Sequence, residues 1–125
     1  MPWEELLELR RLADQYEVAL HLDGARLWEV VPYYKRTAGA SIADIAALFD
    51  SVYVSFYKGL GGLTGAMLVG RTRFIEAAMP WRRRLGANPY TVMPYALSCR
   101  DAFRRHQHTF DERWQKLRKL VLSLP

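Results

Sequence analysis

SVYVSFYKGLGGLTGAMLV, residues 51–69, holds two strand-like runs around a glycine-rich turn, with one lysine at the mouth of that turn. Ser51–Phe56 alternates β-branched and aromatic residues with small ones, and Gly65–Val69 is a second apolar run, so both read as strands. Their connection, YKGLGGLT, is too rich in glycine for a helix and long enough to be a working loop. A solvated lysine needs no such setting. An amine that must meet a bound carbonyl compound at a fixed place does.

Outward from this segment, helix and strand signals follow one another. Trp3–Gln15 reads as a helix, with Pro2 at its start and Trp3, Leu6, Leu7 and Ala13 on one face. Val18–Leu22 is predicted as a short strand running into a turn at Asp23-Gly24. Arg26–Val31 starts a helical piece that Pro32 is expected to stop, and YYKRTAGA (33–40) reads as a linker. Ser41 is an N-cap for the helix IADIAALF, with Asp44 three positions later. Arg71–Leu85 is helical, with Pro80 a kink or boundary; Val92–Arg105 and Phe110–Leu124 are further helices. The order places the chain in the α/β class. Three strands make a small sheet, so the expectation is part of a larger α/β domain.

Bulk composition excludes several classes. Half of the 125 residues are hydrophobic and a quarter charged, a globular balance. No apolar run approaches the roughly 20 residues of a membrane span, so no membrane partner is expected. Cys99 is the single cysteine, which rules out an internal disulfide and fits an intracellular, cytoplasmic location. The net charge of +5 invites a nucleic-acid reading. Its clusters, however, lie on expected helices: Arg82–Arg84, Arg104-Arg105, and Lys116, Arg118 and Lys119. With no RNA-binding aromatic signature and no zinc spacing, they read as solvated faces or helix ends, and no nucleic-acid partner is expected.

Three residues invite chemistry. Asp23 and Lys58 both fall at the carboxyl ends of strands, where α/β sheets collect ligands. Taken singly, each has an ordinary reading: Asp-Gly is turn chemistry, Arg26 pairs with Asp23 or a nearby glutamate, and Lys58 is a turn lysine. Together they fit one coenzyme. A lysine forms a Schiff base from its neutral form, which a partly dry setting between Phe56, Tyr57 and the glycine loop favours. Pyridoxal phosphate (PLP) needs an acidic partner for its ring nitrogen, a role open to Asp23. The planar fork of Arg26 suits an amino-acid carboxylate. His21 reads as structural, pointing to the other side of the turn from Asp23. His106 and His108 read as an exposed inter-helix loop rather than a metal site, since no acidic or cysteine ligand set adjoins them. Cys99 reads as an inert core thiol, and the tryptophans as core or interface aromatics.

HLDGARLWE (21–29), Lys58 placed 35 residues after Asp23 (58 − 23) in SFYKGLGGLTGAMLVG, and FIEAAMPWRRRLGA (74–87) together resemble the low-specificity threonine aldolase and β-eliminating lyase family. The likeness runs from about residue 4 to residue 105. It implies a fold-type-I PLP-dependent large domain, shared with aspartate aminotransferase, with residues 1–105 its later part and 106–125 a helix leading toward a small domain. Lys58 matches the lysine that forms the Schiff base with PLP, Asp23 the aspartate beneath the pyridine nitrogen, and Arg26 the arginine that helps hold the substrate carboxylate beside the cofactor. The implied activity is cleavage of a threonine-like β-hydroxy amino acid to glycine and an aldehyde, in a dimer or tetramer. The alternatives are β-elimination or another amino-acid transformation, and a catalytically silent interaction module. Tyr57 departs from the serine that commonly precedes the lysine, the segment around VPYYKRTAGA is a few residues longer, and ANPYT (87–91) replaces a glycine-rich stretch ending in arginine. Relatives carry a phosphate cradle and a ring-stacking histidine before the point matching Met1, and a further arginine after the point matching Pro125. These 125 residues alone are therefore expected to bind PLP weakly and to turn over little.

Overall fold

The computed structural model describes residues 1–124. Helix α1 spans Trp3–Gln15, as the apolar spacing predicts, and buries Leu6 and Ala13. Strand β1 covers His21–Gly24, later than the predicted Val18–Leu22, and Asp23-Gly24 belongs to the strand itself. Register explains the shift: His21 pairs with Ser51, the first residue of β2 (Ser51–Ser55). The Leu20 carbonyl accepts the Asp50 and Ser51 amides at 2.9 and 3.3 Å, closing the ladder before Val18 can join it.

Helix α2 runs Leu27–Ala38, straight through Pro32 and most of the predicted linker. Proline withdraws one backbone donor from a helix, but this ring is buried and packing offsets the loss. Gly39, at φ 69°, ends the helix in the left-handed conformation, its amide donating to the Lys35 carbonyl at 3.1 Å. Helix α3 (Ile42–Ala47) begins with the predicted cap: Asp44 N–H donates to Ser41 Oγ at 3.2 Å, and Ser41 N–H to Asp44 Oδ2 at 2.8 Å. Strand β3 is Ala66–Gly70. Helices α4 (Thr72–Arg84), α5 (Met93–His106) and α6 (Phe110–Leu122) follow. Pro80 lies inside α4 rather than at its boundary, and His106 is the last residue of α5 rather than a loop residue.

The sheet order is β1-β2-β3, with β1 parallel and β3 antiparallel to the central β2. Side-chain alternation divides its faces. Val52 and Val54 form a core with Leu27 and Ile45, flanked by half-buried Trp3, Leu22, Trp28, Val31, Ile42 and Phe49, so α1, α2 and α3 cover the β1–β2 part of this face and leave Met67 and Val69 of β3 open. His21, Asp23, Ser51 and Tyr53 occupy the opposite face. His21 therefore shares the side of Asp23 instead of pointing away, and its Nδ1 lies 2.8 Å from Ser51 Oγ across the strand pair. Helix α6 is tied to α2: Phe110 is buried, Arg36 Nη2 donates to both Asp111 carboxylate oxygens at 3.0 Å, and the same guanidinium lies 4.9 Å over the Trp114 ring. Trp81 differs from the other tryptophans, with 60% of its surface exposed.

Candidate active site

Asp23 is the third residue of β1 and Lys58 stands three residues past the end of β2. Because these strands are parallel neighbours, Asp23 near the end of β1 and the loop that follows β2 both lie toward the carboxyl edge of the sheet. The loop carrying Lys58 is not slack. Phe56 N–H donates to the Gly65 carbonyl at 2.9 Å and Gly62 N–H to the Phe56 carbonyl at 2.7 Å, closing the neck. Gly61, at φ 79°, returns its N–H to the Lys58 carbonyl at 2.9 Å. Leu60 is fully buried and anchors the loop.

Helix α5 buttresses the far side of the loop. Ser98 Oγ accepts the Leu63 N–H at 2.9 Å, and the Cys99 thiol donates to the Thr64 carbonyl at 2.8 Å. Burial pushes the Cys99 thiol up from its ordinary pKa, which keeps it a donor rather than a thiolate nucleophile. Gly65 takes φ 107°, and a Cβ there would collide with Cys99 Sγ. The thiol is only half-buried, not part of the core as predicted, and it holds the lysine loop.

Two sets of neighbours run from Asp23 and from Arg26 toward the Lys58 loop. Asp23 lies opposite Tyr53 in the β1–β2 register; Tyr53 Oη is 3.5 Å from Tyr57 Oη, and Lys58 Nζ lies 5.8 Å from the Tyr57 ring centre. The Tyr57 hydroxyl, burial and the Asp23 charge, in that order, with the Tyr57 charge between the last two, raise the Tyr53 phenol above its ordinary pKa. On the other side, Arg26 Nη1 donates to Glu29 Oε1 at 3.2 Å, and the Glu29 carboxylate sits against Gly59, where any side chain would overlap it. The ordinary expectation for Arg26, a nearby glutamate, is met, yet that glutamate abuts the residue after Lys58. Arg113 of α6 adds a third support by donating from Nη1 to the Gly59 carbonyl at 2.8 Å.

These residues suit PLP. Asp23 spends Oδ1 on the Ala25 amide at 3.1 Å, and Oδ2 takes no hydrogen bond among the described residues, leaving an acceptor for a pyridinium N–H. Lys58 has no ion pair among the described residues. Asp23 is exposed. An open apolar trough of about 740 Å³, lined in part by Val52, Val54, Met67, Val69 and Phe103, lies on the other face of the sheet. Neither it nor a recess of about 330 Å³ beside Trp28 and Phe110 is lined by Asp23, Arg26 or Lys58.

Tyr53, Glu29, Ser98, Cys99 and Arg113 are the contributors that sequence reasoning missed or undervalued. Glu29 alone carries a local signal, an opposite charge three residues after Arg26 at a helix start.

Comparison with known proteins identifies the family. A β-eliminating lyase family profile matches residues 1–115. An aldolase of Penicillium aethiopicum, vrtJ, is 42% identical over 87 residues, which is 69% of this chain and 21% of that protein. The alanine racemase TOXG of Cochliobolus carbonum is 37% identical over 86 residues, again 69% of this chain and 21% of its own. A crystal structure from Listeria monocytogenes EGD-E, assigned as an L-allo-threonine aldolase, superposes with a TM-score of 0.86 at 42% identity, covering 92% of this chain and 31% of that one. The chain thus spans about a fifth of the length of these curated relatives. From its profile match, its relatives and its shared fold, the chain belongs to the β-eliminating lyase family, the group that contains the threonine aldolases.

Proposed function

We propose that this chain forms the lysine-bearing part of a PLP-dependent aldehyde lyase that cleaves a threonine-like β-hydroxy amino acid to glycine and an aldehyde. The observation that carries the reading is the placement of Asp23, near the end of β1, and Lys58, just past β2, toward the carboxyl edge of two adjacent parallel strands. Bound PLP would supply an electron sink for the bonds at the amino acid's Cα. Lys58 would hold the cofactor through its amine, and the closed loop neck supports this by restraining the backbone that carries it. Asp23 would hold a proton on the ring nitrogen through its free Oδ2. Arg26 would bind the substrate carboxylate, and Tyr57, unlike the serine common in aldolases, would place a phenol beside the reacting centre. In this reading α6 leads from the large domain toward a small one, and the site is completed by chain from a larger homo-oligomeric protein.

The test is borohydride reduction of the intact protein after incubation with PLP, followed by peptide mapping. A pyridoxyl label on Lys58, absent from Lys58→Ala, supports the reading; an unlabelled intact protein overturns it and favours a silent module. A second reaction is favoured by the racemase among the relatives. Acetaldehyde release from threonine supports the lyase, whereas exchange of the alanine Cα proton without carbon–carbon cleavage supports that second reading.

A further inference from the structure

We infer that Glu29 is a positioning residue that presents Arg26 to a substrate carboxylate and couples it to the Lys58 loop; the inference rests on the amino-acid lyase reading above. Arg26 is the N-cap of α2, where its side chain makes no capping hydrogen bond and needs another partner to fix it. Glu29, in the first turn of the same helix, supplies one. Only Nη1 of Arg26 is engaged, at 3.2 Å, so Nη2 and Nε keep the paired donors that a carboxylate needs. The guanidinium end remains largely open, with 69% of the Arg26 side chain exposed against 27% for Glu29.

Glu29 is itself fixed by the loop. Its Oε2 is buried and accepts no hydrogen bond. A Cβ at position 59 would lie 2.9 Å from that oxygen and closer still to Oε1. Gly59 is therefore the residue that lets the carboxylate rest against the backbone beside Lys58. A buried carboxylate oxygen left without a donor is costly, and the carboxylate that carries it lies between Arg26 and the backbone of the lysine loop. One side chain thus touches both halves of the site.

The experiment compares wild type, Glu29→Gln and Glu29→Ala in the intact protein. Glycine and glycinamide are titrated into PLP-loaded protein, and nitrogen relaxation of the Arg26 Nε–H is measured without ligand. Glu29→Ala is expected to lose Arg26 order and to weaken glycine about tenfold, the effect of one charge-assisted hydrogen bond. Glycinamide, which has no carboxylate, is expected to bind unchanged, and Glu29→Gln, which keeps the shape and an acceptor oxygen, to fall between. Equal Arg26 order in wild type and Glu29→Ala overturns the inference. So does equal weakening of glycine and glycinamide, which marks a general packing defect, or an unchanged glycine affinity. Borohydride labelling separates the two failures: label on Lys58 with an unmoved glycine affinity overturns only the role of Glu29, whereas no label in wild type overturns the lyase reading and the substrate role together.

Discussion

The Arg113 guanidinium donates to the Gly59 carbonyl at 2.8 Å, joining α6 to the residue that follows Lys58. Its planar face also lies 5.0 Å from the Phe110 ring, and Nη2 is 3.3 Å from His106 Nδ1. The C-terminal helix is therefore part of the support for the lysine loop. Arg113→Ala is expected to lower stability by about 1 kcal/mol, the worth of one such hydrogen bond. It should also speed hydrogen exchange at the Gly61 and Gly62 amides, which close the loop. Exchange unchanged at both amides would show that α6 holds the loop by apolar packing alone.

A different constraint meets at Gly65. Its φ of 107° disfavours any side chain, and Cys99 Sγ occupies the space a Cβ would enter. Gly65→Ala is expected to cost about 2 kcal/mol or more, combining backbone strain with overpacking. Adding Cys99→Ala removes the collision but leaves the strain, so urea unfolding should show partial recovery in the double variant. Full recovery would mean that the backbone conformation carries no cost.

Acid sensitivity is expected to centre on Asp50. The Leu20 N–H and then Arg10 hold its carboxyl below the ordinary carboxylate pKa, with bonds of 2.8 and 2.9 Å. A folded-state value depressed in this way adds stability above the unfolded pKa, about 3.9. That contribution is lost as pH falls through the folded value. Unfolding of Asp50→Asn, followed from neutral pH downward, should start from a lower stability and lack this acid limb. A wild-type-like acid profile in the variant would assign the limb elsewhere.

Tyr53 reports on the face that carries Asp23. Its phenol is raised mainly by the Tyr57 hydroxyl and in smaller part by the Asp23 charge. Ultraviolet pH titration of Tyr57→Phe should show one phenol moving back toward its ordinary value, and Asp23→Asn a smaller movement in the same direction. If Asp23→Asn shifts nothing, the carboxylate and phenol do not share an environment.

The two halves of this molecule were unequally visible in the sequence. The bounds of α1 and the Ser41–Asp44 cap depend on neighbours a few residues apart, so periodicity and capping rules found them. The start of β1 depends on where Ser51 lies in a different strand, and passage of α2 through Pro32 depends on what buries that ring. Neither is written locally. The same division holds for the site. Asp23, Arg26 and Lys58 stand out only in combination, as an acid, a guanidinium and an amine set by short local motifs around two strand ends, while Arg113 and Cys99 reach the loop from 54 and 35 residues away. The fold assignment rests on motifs, whereas the supports of the loop emerge only once α5 and α6 have packed.

The closed neck at Phe56 and Gly65 also bears on the thermodynamics of association. Lys58 lies two residues inside a hairpin whose feet are both held in the sheet, so its backbone has surrendered most of its freedom before any small molecule arrives. Capture by that amine then needs little ordering of the chain, and the entropy penalty of the encounter falls mainly on the incoming compound and a single side chain.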